Sequence, residues 1–182
     1  MEITTIGVDL AKNVFQVHGV DGRGKVVLRR QLRREQMVEF FARLPPCLIG
    51  MEACGSAHHW ARVLQGQGHT VRVIASQFVK PYVKSNKNDA ADAEAICEAV
   101  ARPSMRFVPV KSMEQQSILA VHRARQGFVK ARTAQANQIR GLLAEFGLVV
   151  PQGLWNVCQR VPALLERAAD AAENAAEDLP AD

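Results

Sequence analysis

Cysteine is scarce in this chain of 182 residues. Cys47, Cys54, Cys97 and Cys158 are too scattered for a disulfide framework, and none forms the CxxC pair of a structural zinc site. Aromatic residues make up only 5% of the chain, which argues against a single-strand binder that stacks bases. No apolar run approaches the ~20 residues that a membrane helix needs. The opening MEITTIGVDLAKN has no basic segment followed by an apolar stretch and a cleavage site, so it does not read as a signal peptide. These absences point to a reduced, cytoplasmic protein with no membrane association.

What is present is a basic body with an acidic end. Residues 111–160 carry 7 Lys or Arg against 2 Asp or Glu, whereas residues 161–182 carry 1 against 6. A basic body suits a polyanionic partner, nucleic acid first among them, although an ordinary solvated surface has the same composition.

The first half alternates strand and helix patterns. Ile3 to Val8 is an apolar, β-branched run that ends at Asp9. Val14 to Val20 alternates with a period of two, Asp21-Gly22-Arg23-Gly24 is turn chemistry, and Lys25 to Leu32 reads as the returning strand. Met37, Phe40, Phe41 and Leu44 then fall at helical spacing, and Pro45-Pro46 stops that helix. Cys47 to Met51 is a short buried-type strand with Glu52 at its end. Ser56 is placed to cap a helix carrying Trp60, Val63 and Leu64, and Thr70 to Ala75 is the next strand. The order is β-β-β-α-β-α-β.

A helix over Asp89–Ala101 and a short strand over Phe107–Val110 follow. Ser112 to Phe146 contains no proline, which predicts one long helix with possible interruptions at Gly127 or Gly141. A 4-3 seam in it is apolar only in the second half, at Ala136, Ile139, Leu143 and Phe146. Beyond Pro151-Gln152-Gly153 the chain is rich in Ala and Glu, and from Pro162 it reads as a frayed segment with no core face. The expected organisation is an α/β domain over 1–110, a long basic helical region over 111–150 and an acidic, partly disordered tail over 151–182.

Four acids hold special places. Asp9 and Glu52 end strands, where open sheets present functional groups. Asp89 and Asp92 are three apart at a helix start, hence on one face. Carboxylates supply the charged oxygen donors that magnesium or manganese prefers, and a pair of such ions promotes phosphoryl transfer. Asp in a first helical turn also stabilises the helix dipole on its own, so the set matters more than any one member.

The strings IGVDLAKNVFQVHGVD, IGMEACGSAHHWARVL, VKSNKNDAADAEAI and VKARTAQANQIRGLLAEFG, in that order, resemble the DEDD-type insertion-sequence transposases related to the Piv DNA invertases. The resemblance covers Ile3 to about Gly153. It implies a RuvC-like domain of ribonuclease-H fold followed by a coiled-coil region. It places Asp9, Glu52, Asp89 and Asp92 as the catalytic, metal-binding carboxylates, with Mg2+ or Mn2+ as cofactor. It further implies DNA as substrate, a guide RNA as partner and self-association through the long helix. Such proteins continue into a C-terminal domain with a nucleophilic serine, for which the acidic tail stands here; the chain is thus expected to be truncated before it. No Ser of this chain takes that role.

Arg123, Arg125, Lys130, Arg132 and Arg140 on the long helix, with Lys84 and Lys87 ahead of the Asp pair, are the candidate nucleic-acid contacts. Lys and Arg along a rod suffice for phosphate binding, and a solvated charged helix looks the same in sequence. His58 and His59 point about 100° apart on a helix, so at most one reaches any metal. Two other functions remain open. A phosphotransferase of the actin and sugar-kinase superfamily also opens with strand, Asp and hairpin, but Asp9-Leu10-Ala11-Lys12 lacks its phosphate-holding residues. A non-catalytic nucleic-acid-binding regulator fits the basic body equally.

Overall fold

The β-branched run at the N-terminus forms strand β1 (Ile3–Asp9) of a computed structural model that describes residues 2–83 and 89–177. The side chains of Asp89 and of residues 172–177 lie outside the described set, as do Lys84 and Lys87 entirely. β1 pairs antiparallel with β2 (Val14–Asp21), which turns back into β3 (Val26–Arg33). Asp21 builds that turn: its Oδ1 accepts from the backbone N–H groups of Arg23 and Lys25, both at 2.9 Å. Gly24 completes it at φ +76°, a conformation that a side chain would strain.

A 3₁₀ turn at Arg34–Gln36 leads into α1 (Met37–Ala42) and then β4 (Leu48–Glu52). Next come α2 (Ala57–Gly66), β5 (Thr70–Ile74) and the single-turn α3 (Ser76–Val79). α4 (Asp89–Val100) and the short β6 (Phe107–Val108) complete the first of two compact units, Met1–Glu114. The sheet order is β3-β2-β1-β4-β5-β6, with β1, β4 and β5 parallel and β6 antiparallel to β5. This is the mixed, ribonuclease-H-like α/β sheet that the element order predicts. Strand and helix limits agree with the sequence pattern to within a few residues.

Alternation along the strands sorts the side chains onto two faces. Ile6, Val8, Phe15, Val17, Ile49, Met51, Val71 and Val73 point to one side, where Met37 and Phe41 of α1 and Trp60, Ala61 and Leu64 of α2 close the main core. The other side carries Thr5, Gly7 and Asp9 of β1 with Leu48, Gly50 and Glu52 of β4, and α4 lies across it. There Ile74, Ile96, Ala99 and Val100 form a second core. α4 presses hard on the strands. A Cβ built on Gly7 would lie 2.2 Å from the Ala93 carbonyl oxygen and 2.4 Å from the Cys97 nitrogen. One on Gly50 would lie 2.7 Å from Val100 Cβ.

The second unit, which begins at Gln115, is helical over most of its described residues. α5 spans Met113–Glu145, starting in the first unit, and runs unbroken through Gly127 and Gly141, where no neighbour approaches within 4 Å. Gly147 and Gly153, both at positive φ, turn the chain into α6 (Leu154–Glu177). The frayed segment expected from Pro162 is therefore corrected as far as Glu177. Pro162 sits inside a helix of 24 residues, and the helix has a core face. Val157, Val161 and Leu164 pack on Ala136, Ile139 and Leu143 with Val150 between them. The apolar second half of the long-helix seam is thus filled by α6 of the same chain, a pairing that Ala/Glu-rich composition concealed. Phe146, the last seam position, stays 81% exposed.

Candidate functional site

Asp9 and Glu52 stand side by side because of strand register. Thr5 to Val8 pair with Leu48 to Met51 in parallel, and Asp9 and Glu52 each follow one residue later. Neighbouring strands lie about 4.8 Å apart, and both acids take the α4 side of the sheet by alternation. Both are half-buried.

α4 brings the Asp pair to the same end. Cys97 Sγ lies 3.7 Å from the Thr5 carbonyl oxygen, and the Ala93 carbonyl oxygen sits over Gly7. Four helical residues rise about 6 Å and two strand residues about 6.6 Å, so α4 runs antiparallel to β1 in step with it. One further turn back, Asp89 begins the helix at the level of Asp9, and half-buried Asp92 lies in that first turn. Ala90, Ala91 and Ala93 keep this turn slim. Strand β1 with Asp9, strand β4 with Glu52 and the first turn of α4 with Asp92 thus lie toward one end of one sheet face.

The donor chemistry, carboxylate oxygens, fits a hard divalent cation. Among the described residues no group of three or more His, Cys, Asp and Glu side chains is placed to hold one ion. A three-carboxylate cage from Asp9, Glu52 and Asp92 is therefore not formed by the described side chains, and Asp89 is the acid of the set that they leave out.

The histidines serve other ends. Both ring nitrogens of His58 face Lys111: Nδ1 accepts from the Lys111 backbone N–H at 3.3 Å, and Nε2 is 3.0 Å from its Nζ. His59 is exposed and stacks edge-to-face on Trp60. His69 is buried, bridging Cys47 N–H at 3.3 Å and the Phe41 carbonyl oxygen at 3.1 Å. Ser56 takes the N-cap position of α2 without a side-chain cap bond. Burial pushes the Cys97 thiol up to about 11, with the Glu94 and Glu98 charges adding to it and a Gly7 backbone hydrogen bond opposing. Burial alone raises Cys47 to about 11. Neither is a ready nucleophile at neutral pH.

On α5, Arg123, Arg125, Lys130 and Arg132 are exposed. Arg140 is different. Its Nε donates to the Val150 carbonyl oxygen at 2.9 Å and its Nη1 to Asn137 Oδ1 at 3.3 Å, which ties α5 to the turn before α6. Among the described residues no helix is long and apolar enough to cross a membrane.

Two residues that position the site escaped the sequence reading. Gly7 and Gly50 admit α4, and their only signal is a glycine inside an otherwise β-branched strand.

The chain is similar to several known proteins. Residues 6–147 match the DEDD transposase family of the IS110 type, described as transposase. A probable family 20 transposase of Pseudomonas aeruginosa is 66% identical over 149 residues, covering 82% of this chain and 44% of that protein. The transposase for insertion sequence element IS1328 of Yersinia enterocolitica is 47% identical, covering 84% of this chain and 46% of its own length. That for element IS1111A of Coxiella burnetii is 48% identical, covering 90% and 45%. The chain spans less than half the length of these relatives. Among solved structures, T. thermophilus RuvC in complex with a Holliday junction substrate aligns with a TM-score of 0.38 at 11% identity, over 53% of this chain and 90% of that one. Matched over most of its length, the chain belongs to the IS110-type DEDD transposase family.

Proposed function

We propose that this chain is the carboxylate-bearing part of a DNA transposase that cleaves and exchanges DNA phosphodiesters with the help of Mg2+ or Mn2+. The observation that carries the reading is the meeting of Asp9, Glu52 and the start of α4 at one end of one sheet face, in a member of a transposase family.

In this reading Asp9, Glu52, Asp89 and Asp92 hold the cation, with Asp89 completing the set. The bound cation supplies charge stabilisation at the phosphoryl oxygens. The residues themselves fix the geometry: Asp9 and Glu52 ride on hydrogen-bonded strands, and the Asp pair on a helix locked to those strands through Gly7 and Gly50. Arg123, Arg125, Lys130 and Arg132 contact nucleic acid from α5, and Lys84 and Lys87, which precede the Asp pair in the sequence, contact it as well. Arg140 contributes mainly by holding the helical hairpin. Guide-RNA binding and pairing with a second copy fall to α5, whose exposed Ile118, Val121 and Phe128 leave apolar surface for a partner. The protein works in the cytoplasm.

The test is strand exchange on labelled DNA with magnesium, using this chain together with a family C-terminal domain supplied as a separate polypeptide. Activity that requires both polypeptides and is lost on Asp9→Asn or Asp92→Asn is the expected result. Activity indifferent to both substitutions contradicts the proposal. DNA binding without any exchange favours the non-catalytic regulatory reading.

A further inference from the structure

The outer strand β3 holds a concentration of charge that neither the carboxylate site nor α5 uses. Residues 22–34 contain Arg23, Lys25, Arg29, Arg30, Arg33 and Arg34 and no Asp or Glu. β3 is the free edge of the sheet, and a basic edge also discourages edge-to-edge aggregation. Register shows more than edge protection. Gln16 pairs with Asp9 across β1 and β2, and Gln31 pairs with Gln16 across β2 and β3. Glu52, Asp9, Gln16 and Gln31 therefore form one row across four strands on the α4 face. Arg29 and Arg33 flank Gln31 on that same face, two residues to either side.

Among the described residues this row is not covered along its length. Between Gln16 and Arg29 on the sheet and Ala90 and Ala91 on α4 there is a cleft of about 210 Å³. The helix side carries the methyl groups of Ala90, Ala91 and Ala93, which leave space unfilled, together with Glu94, while the sheet side offers the Gln16 amide, His18 and the Arg29 guanidinium. Arg29 is 68% exposed and its partner Glu94 is 3.7 Å away; Arg33 pairs with exposed Glu35 at 3.5 Å. The Arg33–Glu35 pair is exposed on both sides and therefore weak, whereas Arg29 keeps its exposed guanidinium beside half-buried Glu94. Arg30, one residue on, points to the other face and stacks over Phe40.

We propose that the α4 face of β3, with Arg29, Gln31 and Arg33, is a contact for the phosphodiester backbone of nucleic acid, which it leads over Gln16 toward Asp9. β3 lies two strands, about 10 Å, from β1, a span of about three nucleotides along one strand of a duplex. The inference rests on the transposase reading for what happens at Asp9, but the backbone contact is separately measurable.

The experiment is fluorescence anisotropy with the whole chain, titrated against a labelled DNA duplex and, separately, a labelled RNA hairpin over a range of salt. Arg29→Gln with Arg33→Gln should flatten the plot of log affinity against log salt by about 1.8 for duplex DNA, from two lost phosphate contacts. Arg29→Lys with Arg33→Lys should keep the parent slope. Unchanged circular dichroism of the Gln pair shows that the fold is retained. A change with DNA alone assigns the edge to DNA, and a change with RNA alone assigns it to RNA. An unchanged slope with both overturns the proposal while leaving the carboxylate site standing. Parent-like binding by the Gln pair alongside lost strand exchange in Asp9→Asn separates the two readings cleanly. A chain that binds neither polymer overturns this inference outright.

Discussion

Gly7 and Gly50 face each other in register on parallel strands, and both are roofed by α4. The contacts differ in kind. The missing Cβ of Gly7 would strike backbone atoms of Ala93 and Cys97, whereas that of Gly50 would strike the Val100 side chain. Backbone cannot step aside as a side chain can. Gly7→Ala is therefore expected to cost about 3 kcal/mol or more and Gly50→Ala about 1–3 kcal/mol, measured by urea unfolding. Gly66→Ala, with open space around it, is the control and should change stability by under 1 kcal/mol. Equal costs at Gly7 and Gly66 would mean that α4 does not press on β1.

His69 is a structural bridge rather than a ligand. Replacing it by Ala removes the partners of the Cys47 N–H and the Phe41 carbonyl oxygen and opens space beside the Phe41 ring, which it meets edge-on at 5.8 Å. A loss of about 2–4 kcal/mol follows. A loss below 0.5 kcal/mol in thermal or urea unfolding would show that the bridge does not contribute.

The thiols should divide by burial. Cys54 and Cys158 are exposed, and Cys47 and Cys97 are buried. At pH 8 a maleimide should label Cys54 and Cys158 in the native protein and reach Cys47 and Cys97 only on unfolding, as read by mass spectrometry. Linkage has a definite sign here. Burial raises Cys47 and Cys97 from 9.0 to about 11, so between those values the folded state keeps protons that the unfolded chain releases. Stability should fall as pH rises through that window, and Cys47→Ala with Cys97→Ala should flatten the fall. Rapid native labelling of Cys97 would contradict the packing of α4 on β1.

Pro162 lacks the N–H that would bond one turn back, yet α6 continues through it. Packing of Val157, Val161 and Leu164 on α5 offsets that defect. Pro162→Ala should thus stabilise the helical unit by up to about 3 kcal/mol, while Leu143→Ala should weaken it by about 2 kcal/mol or more. Hydrogen exchange along α6 measures both. Faster exchange in Pro162→Ala would contradict the continuous helix.

Period-two patterns, the Asp21–Gly24 turn and the proline stops made the strands of the first unit legible in sequence. Asp9 and Glu52 were legible as strand ends, because an acid closing an apolar run is itself a local pattern. That both face one crevice was expected from those strand ends, while their side-by-side placement depends on the register of β1 with β4, a long-range pairing. The antiparallel course of α4 rests likewise on Gly7 and Cys97, which lie 90 residues apart in the chain. In the second unit the α5 side of the core, Ala136, Ile139 and Leu143, was legible as an apolar seam. Its partner face of Val157, Val161 and Leu164 was not, because it straddles Pro162, which reads as a stop where packing overrides it. Arg140 could not be told from its neighbours, because only the backbone carbonyl of Val150 distinguishes it.

The most direct test of the carboxylate centre is the melting temperature of the chain across a magnesium titration, for the parent and for Asp9→Asn and Asp92→Asn. Carboxylates gathered without a cation repel one another, and a cation that binds only the folded state stabilises it by mass action. Magnesium should raise the parent melting temperature, by an amount equivalent to about 2.7 kcal/mol at a hundredfold excess over Kd. Either Asn variant should lose most of that rise without melting lower than the parent in the metal-free state. If magnesium leaves the parent unmoved and both variants simply melt lower, the acids are structural and the proposed centre is wrong.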